Sequence, residues 1–162
     1  MAYILCSTGA HEVSESSDLI KLYSNRILGL AAEIPHLGRL DDPQASVKKR
    51  SPLCGSTVTV DLDMTDGRVS RFAQEVKACA LGQASAAVLG DAVMGRSAAE
   101  LAATARDLEA MLKKDGPVPA APFDGYEALI PAREFKNRHA SILLSVQAAA
   151  EAAAEADRTT QA

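Results

Sequence analysis

The residues of this 162-residue chain best suited to metal or redox chemistry are its three cysteines and three histidines. Cys54 lies in Ser51-Pro52-Leu53-Cys54-Gly55-Ser56, directly ahead of an alternating apolar run. A proline and a glycine bracket it, which predicts a tight turn whose backbone N–H groups point towards sulfur and favour a thiolate. Cys79 falls where a strand pattern gives way to a helical one. The positive end of a helix dipole favours a negative sulfur there. Both cysteines border one predicted sheet, so their thiols are expected to lie close together. The competing reading of each is a small buried hydrophobe. His139 heads the last helical stretch after the polar run Glu134-Phe135-Lys136-Asn137-Arg138 and by itself reads as a surface or capping residue; His11 and His36 have no distinguishing context. An odd cysteine count without an export signal argues for reduced thiols over a disulfide framework.

Other chemistries lack their motifs. There is no phosphate-binding P-loop, dinucleotide glycine fingerprint, nucleophile elbow, His-Glu-x-x-His or paired Cys-x-x-Cys. Gly82-Gln83-Ala84-Ser85-Ala86 is better read as close helix packing than as an elbow. The formal charge is −4 and the basic residues are scattered among acids, which argues against a nucleic-acid partner. No run approaches the roughly 18 apolar residues of a membrane span, and the opening Met1-Ala2-Tyr3-Ile4-Leu5-Cys6 makes a poor signal peptide. A cytoplasmic, non-membrane protein is expected.

The elements that must position the thiols follow from the hydrophobic pattern. Residues 1–16, with Cys6, lack periodicity and read as a flexible leader. From Ser17, Leu19, Ile20, Leu22, Tyr23, Ile27, Leu30 and Ala31 recur at helical spacing, capped by Ser17 or Asp18, up to Pro35. Residues 35–46 carry Pro35, Gly38, Asp41, Asp42 and Pro43 and read as an extended loop. Val58, Val60 and Leu62 alternate with polar residues as in a strand buried on one face, Thr65-Asp66-Gly67 turns into a second strand to about Val76, and a third strand covers Ala45 to Arg50. Helices follow over residues 80–94 and, behind the capping box Ser97-Ala98-Ala99-Glu100, through Leu112. Residues 115–122 are a spacer, a short helix is expected near 125–130, and a last helix runs from about His139 through the alanine-rich tail. The fold class is α+β: a small three-stranded antiparallel sheet packed against helices, with N-terminal and C-terminal helices flanking. One domain over residues 17–157 is expected, with a disordered tail at 158–162.

In its order of landmarks the chain resembles the U-type iron–sulfur cluster assembly scaffold family, homologous to the N-terminal domain of NifU. The likeness runs from about Leu22 to Ala150. It rests on Tyr23-Ser24-Asn25-Arg26-Ile27 with Pro35 and Gly38-Arg39-Leu40; on Cys54-Gly55 before a strand; on Cys79 with Ala84-Ser85 on a helix leading to Gly95-Arg96-Ser97; and on His139-Ala140-Ser141-Ile142-Leu143, similar to the family's His-Cys-Ser-Ile-Leu.

That resemblance implies a scaffold or carrier and not an enzyme, holding a labile [2Fe–2S] cluster, iron or zinc. Cys54, Cys79 and His139 match family ligands, while Ser56 stands where the family has an aspartate and Ala140 where it has a third cysteine. Two thiolates and an imidazole leave one place open, which water, Ser56 or a second subunit in a homodimer would fill. The implied partners are a cysteine desulfurase and recipient apoproteins. The family's chaperone-recognition stretch is missing from residues 131–138, and the absence of the third cysteine weighs against persulfide-based assembly. The alternatives are a metal-free adaptor or regulator of the assembly machinery and a zinc-dependent sulfur-transfer partner.

Overall fold

The computed structural model describes residues 23–161. The expectations for Cys6, His11, the leader and the part of the first helix ahead of Tyr23 lie outside the described residues.

Helix α1 spans Asn25–Ala32 and begins at Ser24, whose backbone is extended and whose Oγ accepts from the Ile27 N–H at 3.3 Å. A single helix running on from Ser17 is therefore interrupted at Ser24. A serine hydroxyl that satisfies a free N–H favours a cap over helix interior.

Strands β1 (Ala45–Arg50), β2 (Thr57–Thr65) and β3 (Arg68–Lys77) form an antiparallel sheet in the order β1-β2-β3. The β2–β3 hairpin turns on Asp66 (φ 54°) and Gly67 (φ 75°), the paired positive φ of a turn whose twist matches the strands it joins. Val58, Val60 and Leu62 join the core as their alternation predicts. The expectation of burial on one face alone is corrected: Thr59 and Asp61 on the other face are buried as well. The loop after α1 covers Asp61. Asp61 accepts hydrogen bonds from Arg39 Nε (2.7 Å), Arg39 Nη2 (3.2 Å), Ser46 Oγ (2.6 Å) and the Leu40 N–H (3.0 Å). Burial pushes the Asp61 carboxyl up, but the hydrogen bonds from Arg39, Ser46 and Leu40 outweigh it and hold the group below its ordinary range. Gln74 on β3 ties the same loop down, its N–H donating to His36 O at 2.9 Å and its Nε2 to Pro35 O at 3.1 Å and Ala86 O at 3.0 Å.

Helix α2 spans Ala80–Ala92 and α3 spans Ala98–Lys113, the latter capped by Ser97 Oγ accepting from the Glu100 N–H at 3.1 Å. A 3-10 helix, Asp124–Glu134, is longer than the short helix expected there. Helix α4, Lys136–Gln161, starts three residues before His139 and runs past Asp157, so the described end of the chain is helical where a disordered tail is expected. Once a helix is nucleated each added residue gains a hydrogen bond at little further cost.

Helix α4 packs on β1 and β2 and against α2 and α3. Its Ala148, Ala149, Ala152, Ala153 and Ala156 are fully buried, so their small side chains bring the helix close to its neighbours. Among the described residues no helix is long and apolar enough to cross a membrane.

Candidate functional site

The turn before β2 closes through the Gly55 N–H donating to Ser51 O at 3.0 Å and the Ser51 N–H donating to Ser56 O at 2.8 Å. Gly55 takes φ 70°, a conformation that favours glycine. Cys54 is thereby held on an exposed turn. Its Sγ lies 3.3 Å from Ser51 Oγ and 3.1 Å from Ser56 Oγ. Hydrogen bonds from Ser51 first and Ser56 next bring the Cys54 thiol down to about 7. Serine hydroxyls do most of what the sequence assigned to backbone N–H groups, because a hydroxyl rotates to face sulfur whereas an amide direction is set by the turn.

Cys79 is the N-cap residue of α2, at the junction between β3 and that helix, and is half-buried. Its Sγ lies 3.5 Å from Ser141 Oγ. Ser141 donates in turn to Ser56 Oγ at 3.1 Å. The two cysteines are thus joined by a continuous chain of polar contacts, Cys54–Ser56–Ser141–Cys79, contributed by the turn before β2, the start of α2 and the first part of α4.

His139 does not join this chain. It is buried, with Nε2 at 2.9 Å from Ala132 O and 3.1 Å from Arg133 O. The cause is helical geometry: residues two apart on an α-helix point roughly 160° away from each other, so Ser141 and His139 of α4 face different neighbours. His139 lines a separate cleft of ≈ 520 Å³ with Leu112, Lys113, Asp115, Arg133, Glu134 and Lys136. His36 packs its ring edge-on to Phe72, 5.9 Å between centroids. Ala140, at the position of the family's third cysteine, is half-buried.

Ser141 is the residue that sequence reasoning passed over. It appears only inside the motif shared with the family, yet its two-residue offset from His139 already places the two on different faces of a helix. Its approach to the thiols depends on Gly82 of α2. A Cβ there would lie 2.7 Å from Ser141 Oγ and 2.8 Å from Ala78 Cβ. The stretch Gly82–Ala86 is indeed close helix packing, and Ser85 Oγ, donating to Ile142 O at 2.6 Å, adds a buried tie between α2 and α4.

As a donor set, the site offers one exposed thiol, one half-buried thiol and two hydroxyls. Among the described residues no group of three or more His, Cys, Asp or Glu side chains is placed to hold a metal ion. One chain therefore presents half of the four thiolates that usually hold an iron–sulfur cluster.

Comparison with known proteins agrees with this frame. The chain superposes with a TM-score of 0.84 and 43% identity on the crystal structure of a nitrogen-fixing NifU-like protein (N-terminal) from Brucella abortus, covering 87% of this chain and 98% of that one. A SUF-system structure from Fervidobacterium islandicum, at 18% identity and a TM-score of 0.72, shares the fold. A curated relative, the iron–sulfur cluster assembly scaffold protein IscU of Thermotoga maritima, is 29% identical over 90 residues, which are 56% of this chain and 63% of that protein. Residues 22–129 match the family described as the NifU-like N terminal domain, and the chain belongs to that family.

Proposed function

We propose that the chain is an iron–sulfur cluster assembly scaffold or carrier, in which Cys54 and Cys79 hold a labile cluster or the iron that enters it. The observation that carries this reading is the chain of contacts joining the two thiols through Ser56 and Ser141. Family membership and the scaffold name of the Thermotoga relative support it. An exposed thiol held near 7 is about half thiolate at neutral pH, and the thiolate is the form that ligates iron. The same pair would accept zinc. Two thiolates per chain suit a cluster shared between two copies, each supplying Cys54 and Cys79. His139 would enter the ligand set only by exchanging the carbonyls of Ala132 and Arg133 for the metal. Sulfur would come from a cysteine desulfurase and the cargo would pass to recipient apoproteins in a reducing, cytoplasmic setting; the chain itself is a carrier and not an enzyme.

Anaerobic incubation with ferrous iron and sulfide tests the reading through visible absorbance and bound iron. Wild-type protein should take up the cluster, and Cys54→Ala and Cys79→Ala should each lose most of it. Equal uptake by both variants and the wild type would overturn the site. A second reading, a metal-free adaptor of the assembly machinery, is favoured by Ser56 and Ala140, which stand where the family has a ligand aspartate and a third cysteine. It is the reading that stands if wild-type protein takes up no cluster yet binds a desulfurase.

A further inference from the structure

Resting on the reading of Cys54 as a cargo thiol, we propose that the open face of the sheet beside it, carrying Lys48, Arg50 and Lys77, is the docking surface for an acidic segment of the protein that exchanges cargo with that thiol. In sequence only Lys48-Lys49-Arg50 form a basic run, and strand alternation divides it. Lys49 turns towards the helices and pairs with Glu151 of α4 at 2.6 Å, while Lys48 and Arg50 turn to the other face and are exposed. Strand pairing then adds a cation from further along the chain. Arg50 stands opposite Thr57, and Thr57 opposite the exposed Lys77, so Arg50, Thr57 and Lys77 form one cross-strand row with its two cations roughly 10 Å apart, two strand spacings. Lys48, Thr59 and Glu75 form the next row on the same face.

Among the described residues, neither Lys48, Arg50 nor Lys77 has a carboxylate at ion-pair distance; the pairs of this sheet engage Arg39, Lys49 and Arg71 instead. Glu75, the one acid in the two rows, is engaged electrostatically by Arg39 of the loop after α1. Like charges gathered without counter-charges oppose folding by mutual repulsion. A cation on an outer strand does guard its free edge against pairing with other chains, but that role is met anywhere along the strand and does not require the cations to gather at one end.

The end where they gather is the thiol end. The turn that carries Cys54 closes directly on the Arg50–Thr57 pair, through the Ser51 N–H donating to Ser56 O at 2.8 Å. Pro52, Leu53, Cys54 and Gly55 are all exposed, so the turn projects beyond that row. Exchange of cargo brings a partner's sulfur within bonding distance of Cys54 Sγ, and a surface seated on the turn therefore lies against Arg50 and Lys77 as well. Acids on that surface meet complementary charge. In a chain of formal charge −4 an acidic partner is repelled over most of the approach; a locally positive face reverses the sign beside Cys54 and raises the rate of productive encounter. Neither row carries an aromatic side chain on which a base could stack, which favours a protein over a nucleic acid as the occupant.

Two synthetic peptides test the assignment on the full, metal-free chain: a glutamate-rich peptide whose single cysteine is activated as a thiopyridyl disulfide, and its counterpart with every glutamate replaced by glutamine. The Cys54 thiolate attacks the peptide sulfur, a new S–S bond joins protein and peptide, the peptide–thiopyridyl bond breaks and thiopyridone leaves; mass spectrometry resolves the Cys54 adduct. The acidic peptide should react roughly tenfold or more faster than the neutral one at low ionic strength, and the difference should vanish near 1 M salt, where the screening length is about 3 Å. The acidic peptide with serine in place of its cysteine should slow the exchange when present in excess. The combined variant Lys48→Gln, Arg50→Gln, Lys77→Gln should lose the preference and keep the rate with the neutral peptide. The same charge change at Arg106→Gln, Lys114→Gln, Arg158→Gln, exposed positions at α3 and the end of α4, should leave the preference intact. Equal rates for the two peptides, a preference that survives in the first variant, one lost equally in the second, or no competition by the serine peptide overturns the proposal. So does self-association, or retention of a short single-stranded oligonucleotide at physiological salt, that the first variant abolishes, since either assigns the face to another occupant. Iron and sulfide uptake in Cys54→Ala and Cys79→Ala judges the cargo reading separately, because the peptide exchange needs no cluster.

Discussion

Replacing glycine by alanine at two helical positions should move stability in opposite directions, and the sign at each follows from what a new Cβ would meet. At Gly29, exposed in α1, nothing lies within 4 Å of that position. Alanine there should stabilise by about 0.5–1 kcal/mol by restricting the unfolded chain and favouring the helix. At Gly82 in α2 the same gain is available, but the Cβ would sit 2.7 Å from Ser141 Oγ, 2.8 Å from Ala78 Cβ and 3.3 Å from Ser141 O. Ser141 Oγ can turn away only by leaving Cys79 and Ser56, and Ala78 belongs to the residues leading into α2, so the start of α2 must shift against α4. Overpacking of that kind costs about 1–3 kcal/mol. With two contacts under 3.0 Å the upper half of that range applies, which leaves Gly82→Ala destabilised by about 1–2 kcal/mol after the helical gain. In a domain of this size 1 kcal/mol corresponds to about 2–4 °C in melting temperature. Thermal unfolding followed by circular dichroism should therefore show Gly29→Ala melting slightly above wild type and Gly82→Ala about 2–8 °C below it. A short bifunctional thiol reagent should also link Cys54 to Cys79 more slowly in Gly82→Ala, because the shift falls on Ser141. A Gly82→Ala protein that melts at or above wild type and cross-links at the same rate would refute the close approach of α2 and α4 on which the site depends.

Two further predictions concern charge. Alkylation of metal-free protein, with Cys54 resolved by mass spectrometry, should rise with pH to half its limiting rate near 7, against about 8.5 for a free cysteine; Ser51→Ala should move that midpoint upward, and an unmoved midpoint would remove the hydroxyl explanation. Asp61→Asn turns one acceptor oxygen of the buried carboxyl into a donor facing Arg39 or Ser46. Counting only the Ser46 and Leu40 hydrogen bonds, since Arg39 is half-exposed and its pairing is screened, the loss should be about 2 kcal/mol in urea denaturation. Asp61 sits below its ordinary 3.8 when folded, so its contribution is complete above that value and is lost as pH falls through the folded one. An Asp61→Asn protein as stable as wild type at neutral pH would show that the loop over β2 does not depend on this carboxylate.

Much of the frame is legible in the residues alone, because it depends on local chemistry. Alternation at Val58, Val60 and Leu62, the Asp66-Gly67 turn and the Ser97–Glu100 box act within a few residues of themselves, and the elements they predict are present. The placing of Cys54 and Cys79 at element junctions is local too. Three things were decided only by the tertiary structure. The second buried face of β2 depends on a loop that reads in sequence as breaker and turn residues and becomes a cover only through Asp61 and Gln74. The alanines of α4 look neutral in sequence and become core because small side chains permit close approach over a long helix. The partner of the thiols was settled by the face of α4 that meets α2: the motif read along the chain pointed to His139, but the helix turns His139 and Ser141 apart, and packing against Gly82 gives the thiols to Ser141 and the backbone carbonyls to His139.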